Sequence, residues 1–230
     1  MAKRIFILFF IIFGLIQISV GQINATLVDF YDNFRRNKYE GGVAANPNIK
    51  GSPHENSEFV KGDVYTNQKQ HYAGIPLRYN IFSNQMEFKN PEGEVYEITP
   101  ANIIDSVIIG NSKYIHLLYL SGGRQVPSFF KVLTTQEPML LLKMNVIFKE
   151  AEPPGGYKEA VPAAFEKVQD DMFLTMKPGE PVKFSGKKEL LELFPEYKAK
   201  LEEFIKQNKT RFNKPEEVIR VMEFLYTLGN

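Results

Sequence analysis

Arg78 is the side chain whose setting most invites chemistry. It stands in Gly74-Ile75-Pro76-Leu77-Arg78-Tyr79-Asn80-Ile81, a strand-like run of largely apolar and small residues. A guanidinium in that place has two readings. It is a planar fork that receives the carboxylate or phosphate of a ligand, or it does no more than a surface charge does, as half of a cross-strand ion pair with Glu87 or Glu97 or simply exposed to solvent. Alternation puts Tyr65, Tyr72 and Tyr96, with Phe82, on the same outer face, and the three tyrosines with Arg78 form the candidate ligand-binding surface. A face of that kind suits a sugar, a peptide or a lipid. Contact with the C-terminal helices, which must bury their own stripes somewhere, explains it more simply.

Other chemistries find less support. The histidines His54, His71 and His116 are far apart, and none has a second ligand at helical or alternate-strand spacing, so neither metal nor cofactor is expected. His54 has no evident partner. Gly122-Gly123 and Gly155-Gly156 lie in turns, and no glycine loop of a nucleotide site is present. There is no GxSxG elbow, and Ser121 beside two glycines reads as a turn serine. Asp63, Glu87 and Asp105 lie on or near strands and leave a paired-carboxylate hydrolase open. Nothing singles them out, so no catalytic residue is assigned. The chain has no cysteine, which excludes a thiol nucleophile and disulfides. A net charge of +1 with both signs interspersed argues against a nucleic-acid partner or an acidic-lipid surface.

These residues must be positioned by a meander that begins at Glu58. Strands are predicted at about 58–66, 70–82, 86–89 and 94–98, with Gly74 and Pro76 marking a bulge or an edge and Asn90-Pro91-Glu92-Gly93 a turn. More apolar strands follow at 103–109, 114–120, 129–133, 139–149, 171–176 and 181–184. The run from Met139 to Lys149 is the cleanest, with Leu140, Leu142, Met144, Val146 and Phe148 facing one way. Before the meander, Thr26 caps a short helix with the stripe Leu27, Phe30, Tyr31 and Phe34. After it, helices are predicted from Gly186 or Lys187, around Tyr197 to Ile205, and after an Asn213 cap.

At the front, Lys3-Arg4, the apolar run Ile5–Ile18 and Ser19-Val20-Gly21 have the order of a cleaved export signal. The predicted organisation is a signal at 1–21, a helix and loop arm at 22–57, an antiparallel β domain at 58–184, and a helical region at 185–230. The β domain is expected to be a barrel or sandwich-like sheet of eight to ten strands, making the fold mainly β. No transmembrane segment is expected in the mature chain.

The runs Phe59–Tyr65, Gly74–Ile81 and Met86-Glu87-Phe88, together with Lys188-Glu189-Leu190-Leu191-Glu192-Leu193-Phe194-Pro195, resemble exported proteins of Bacteroidetes-type bacteria. The resemblance implies a periplasmic, outer-membrane-associated or secreted β-rich protein and carries no activity with it. The expected function is that of a non-enzymatic envelope protein binding a partner protein or small ligand. The alternatives are a carrier of an apolar ligand such as a lipid, and the paired-carboxylate hydrolase.

Overall fold

The computed structural model describes residues 23–24, 26–34, 38, 49–155, 159–177 and 179–229. The expected signal at 1–21 and residues 39–48 of the expected arm lie outside the described residues. The elements are β1 (Ile23–Asn24), α1 (Leu27–Phe34), β2 (Val60–Thr66), β3 (Gln70–Asn80), β4 (Gln85–Lys89), β5 (Val95–Glu97), β6 (Ile104–Ile109), β7 (Ser112–Ser121), β8 (Arg124–Val132), β9 (Leu140–Lys143), β10 (Val146–Lys149), β11 (Ala164–Lys167), β12 (Asp171–Lys177) and β13 (Glu180–Phe184). The helices α2 (Lys187–Leu193), α3 (Lys198–Gln207) and α4 (Pro215–Leu228) follow. The fold is mainly antiparallel β, as the alternation predicts. One sheet runs in the order β13-β12-β9-β8-β7-β6-β2-β3-β4-β5, and β1 lies parallel beside β3. It curls as a half-barrel, and β13 comes back to within 8 Å of β7 between Cα atoms.

Strand register makes one lateral row across eight strands: Tyr72, Val64, Val107, Tyr114, Lys131, Leu142, Met172 and Phe184. Residues in such a row share a face of the sheet. Lys131 is the one charge in it, and it divides the face into two cores. On one side Tyr72, Val64, Val107 and Tyr114 join Phe88, Ile75 and α1; on the other Leu142, Met172 and Phe184 join α2, α3 and α4. Met144 touches both. The opposite face of the second half holds Phe130, Leu141 and Phe173.

Two sequence expectations change here. Tyr72 and Tyr96 are not on an outer face. Tyr72 is buried against Phe30, and Tyr96 is buried and stacked on Phe88. The cause for Tyr72 is a bulge. Gly62 pairs with Ile75 but Val64 with Tyr72, so β3 has one residue more than β2 in that interval. The extra residue reverses the alternation, turns Ala73 outward and brings Tyr72 onto the face of Ile75, Leu77 and Tyr79. Asp63 Oδ1 accepts the freed N–H of Gly74 at 3.1 Å.

The second change concerns 139–149. The run breaks after Lys143, because Asn145 N–H donates to Asp170 Oδ1 and Asn145 Nδ2 to Gln169 O and Asp171 Oδ2, each at 3.0 Å. Those bonds offer the backbone an alternative to the ladder. Beyond them β10 leaves the main sheet and pairs with β11.

α1 begins as Thr26 predicts. Thr26 Oγ1 accepts the N–H of Asp29 at 3.2 Å, and the Asp29 carboxylate accepts the N–H of Thr26 at 3.0 Å, a reciprocal cap. α4 starts one residue later than an Asn213 cap requires. Lys214 is the cap residue and Pro215 takes the first helical position, where its missing N–H costs nothing.

Gly62 is required by close approach. A Cβ there would stand 2.1 Å from the Ile108 carbonyl oxygen and 3.0 Å from Leu77 Cδ1. Because β6 cannot withdraw without losing its ladder, Gly62→Ala is expected to cost about 3 kcal/mol, the upper end for overpacking. A lowered urea midpoint would report it.

Candidate functional site

The segment before β2 straps the sheet. It runs beside the end of β3, where β2 has stopped pairing. Glu55 N–H donates to Tyr79 O at 3.1 Å, Ile81 N–H donates to Pro53 O at 2.8 Å, and His54 bridges Asn80. Neighbouring side chains in such an extended segment point to opposite faces. His54 therefore reaches one carboxylate cluster and Glu55 builds another.

On the outer face, Glu87 has 0% exposure. Its Oε2 accepts from Arg78 Nε at 2.7 Å and lies 2.6 Å from Nη2, while Oε1 accepts from Asn80 Nδ2 at 2.8 Å. His54 Nε2 lies 3.2 and 3.3 Å from the two oxygens. Arg78 Nη1 donates to Ser57 O at 3.2 Å, and the guanidinium lies over the Phe59 ring, 4.4 Å from its centroid. Burial alone would raise the Glu87 pKa. The bonds from His54 and Asn80 and the charge of Arg78 outweigh it and hold the carboxyl below its usual value.

Glu97 is the cross-strand neighbour of Glu87, and burial together with the Glu87 charge raises its pKa. Two carboxyls pushed in opposite directions are what acid–base hydrolysis needs. Here the ionised member has no exposed surface, and both its oxygens are held by protein donors. It cannot reach a substrate.

On the inner face, Glu55 accepts from the Tyr114 hydroxyl and pairs with Lys131 Nζ at 2.8 Å. Tyr79 donates to Asn84 Oδ1 at 2.9 Å, and the same oxygen accepts from Ser128 Oγ at 3.2 Å and Phe129 N–H at 3.1 Å. Asn84 thus ties the β3–β4 turn to β8. Burial, with the negative charge of Glu55, pushes both tyrosines far above the ordinary phenol pKa.

The sign of the consequence follows from linkage. A group whose pKa is raised by folding contributes stability that is complete below its unfolded value, about 10, and lost as pH rises beyond it. The protein is expected to lose stability steeply above that pH. Tyr79→Phe/Tyr114→Phe, followed by denaturant melts across the alkaline range, should show a shallower decline; an unchanged slope would refute the assignment.

The sequence-predicted residues do not gather. Arg78 is paired with Glu87. Tyr65, on β2, remains on the outer face but opposite the start of β3, away from Arg78, stacked on His71 with ring centroids 4.4 Å apart. Tyr72 and Tyr96 are core, and the Tyr96 hydroxyl donates to Glu94 Oε2 at 2.7 Å. Phe82 lies partly exposed against Phe165. Asp105 and Ser121 are exposed, Ser121 at the β7–β8 turn. Burial lowers the pKa of His116, which packs on Phe129.

His54 and Glu55 are the residues that sequence reasoning missed. A serine with lysine three residues on also occurs, at Ser128–Lys131, but in a strand that spacing turns the two side chains to opposite faces. At Ser185–Lys188 the lysine is exposed and faces Glu192. Among the described residues no group of three or more His, Asp or Glu side chains is placed to hold a metal ion, and no helix is long and apolar enough to cross a membrane. Comparisons with protein-family models, with curated proteins and with solved structures return no match.

Proposed function

We propose that this chain is an exported envelope protein that acts by binding a partner protein, and that it does so through the free end of the β7–β8 hairpin. The observation that carries this reading is an apolar surface that no other described residue covers. Leu118 is 49% exposed and Leu120 69%, and they share a face with Pro127. β6 pairs with β7 no further along than Ile115, and β9 pairs with β8 only at Lys131 and Val132, so the outer part of the hairpin lacks ladder partners on both sides. Tyr119, on its other face, packs on Phe173 of β12, which leaves the face of Leu118 and Leu120 as the open one. Pro127 has no N–H, which discourages addition of a strand at the edge of β8. The hairpin therefore offers a side-chain face. The buried carboxylates support a binding rather than a catalytic role, since their oxygens are engaged by the protein itself. The export signal read at 1–21 supports the location.

The test is a photo-crosslinking residue at position 120, with a second at position 188 as control, in exporting cells. One defined protein adduct at 120, absent at 188 and lost on Leu118→Ser, is expected. Absence of an adduct at 120 would overturn the reading, as would turnover of an ester, glycoside or peptide substrate that disappears on Glu55→Gln.

A further inference from the structure

We infer that the cleft at the turn between α3 and α4 binds an organic phosphate, a site separate from the hairpin. The sequence first marks the place. Lys206, Lys209, Arg211 and Lys214 follow one another with no acid between them, the longest such basic run in the sequence. The structure folds this run around a cleft of about 430 Å3, lined by Phe204, Lys209, Thr210, Arg211, Glu217 and Arg220.

The charges in it are unequally engaged. Arg211 is fixed by Glu217, whose oxygens take its backbone N–H at 2.7 Å and its Nε at 2.8 Å, with Nη2 also bonded. That pairing holds the Glu217 carboxyl at a pKa of about 2. Glu217 therefore stays ionised and neutralises one cation of the three. Lys209 and Arg220 are in excess of that one carboxylate, giving the lining a net positive charge; Arg220 has a 3.4 Å contact from Nε to the Glu216 carbonyl, and its charge also reaches Glu217. The Lys209 backbone sits in the left-handed region, φ 48°, which turns the chain sharply between the helices. The N-terminal end of α4 adds positive potential at the same place, offset in part by Glu216 in its first turn.

Two cations, a hydroxyl from Thr210 and a helix N-terminus suit a phosphate group better than a single carboxylate. The cleft is much larger than a bare oxyanion needs, and one wall is Phe204, itself stacked on Phe224 at 4.3 Å. The phosphate should therefore carry an organic body that lies on that ring.

The experiment titrates the full chain with phenyl phosphate, with inorganic phosphate, and with phosphatidylcholine vesicles containing phosphatidic acid. Saturable binding of phenyl phosphate, weakened about tenfold or more in Lys209→Gln/Arg220→Gln, is expected, since each charge-assisted bond has at least that worth. A double variant of equal charge loss elsewhere, Lys177→Gln/Lys188→Gln, should bind normally. Binding to the vesicles but not to phenyl phosphate, with the same sensitivity, would support the site and place its phosphate on a lipid. The proposal falls if none of the three binds saturably, if both double variants weaken binding alike, or if inorganic phosphate binds as tightly as phenyl phosphate.

Discussion

Glu87→Ala is expected to destabilise the protein by about 3–5 kcal/mol, the cost of removing one partner from a buried ion pair. The figure comes from what is left behind. Arg78, whose side chain is 16% exposed, would keep its charge under the strap with only the Ser57 carbonyl and the Phe59 ring as partners. His54 and Asn80 would each lose their acceptor on Glu87. A fall in the urea midpoint at unchanged slope would measure the loss. The informative companion is a triple replacement, Glu87→Leu/Arg78→Met/His54→Leu. Removing every charge at once should recover most of the stability, because desolvation opposes ion pairing in a buried cluster. If the single and triple variants are equally damaged, the cluster is not an electrostatic unit.

The same cluster sets an acid limb. The folded carboxyl of Glu87 lies below its ordinary value because bonds from His54 and Asn80 and the Arg78 charge outweigh burial. A depressed acid contributes stability that is complete above the unfolded value, about 4.3, and lost as pH falls through the folded one. Glu87→Gln should therefore be less stable than the parent at neutral pH, and its stability should fall less as the pH drops from about 5 into the acid range. Equal acid slopes would place the titrating group elsewhere.

How much of this was legible in the sequence depends on the range of the interaction concerned. The meander, the Thr26 cap and the last helix are local patterns, and they stand in the structure where the pattern puts them, the helix burying Val218, Val221, Met222 and Leu225. The pairing of Arg78 with Glu87 was legible as one of two readings, because a short turn fixes which residues of β3 and β4 face each other. The face of Tyr72 was not. Gly74 signalled a bulge, but a bulge that reverses alternation moves every residue on one side of it, and the sequence does not say which side stays with the core.

His54 and Glu55 were harder still. They sit in a stretch without periodicity, and their partners lie 33 and 76 residues further on. Nothing local shows that two adjacent residues reach opposite faces of one sheet. The C-terminal helices illustrate the same limit. Their stripes required a partner face, but the meander was only one candidate. α1 takes that place, and the helices cover β9, β12 and β13 instead.

That division of labour makes Phe30→Ala the second large effect. Phe30 is fully buried, and its ring meets Phe34, Tyr72 and Phe88 at centroid distances of 4.8, 5.2 and 4.9 Å. Truncating such a ring removes apolar contact and leaves a cavity that a sheet cannot close, at a cost of about 3–5 kcal/mol. The location of the loss is the sharper expectation. Lys131 interrupts the apolar row, and Met144 is shared between the cores on either side of it. Coupling through one methionine and a Glu55–Lys131 pair is weak beside the contacts within each core. Amide exchange in Phe30→Ala should therefore accelerate in β3, β4 and β5 while β9, β12 and α4 keep most of their protection. A uniform acceleration across both halves would mean that the sheet backbone, continuous through β6, β7 and β8, transmits the damage and that the polar seam divides only the side chains. With the seam confirmed as a boundary, Lys131→Met would be the change that joins the two cores into one, at the expense of a half-buried Glu55 left with Tyr114.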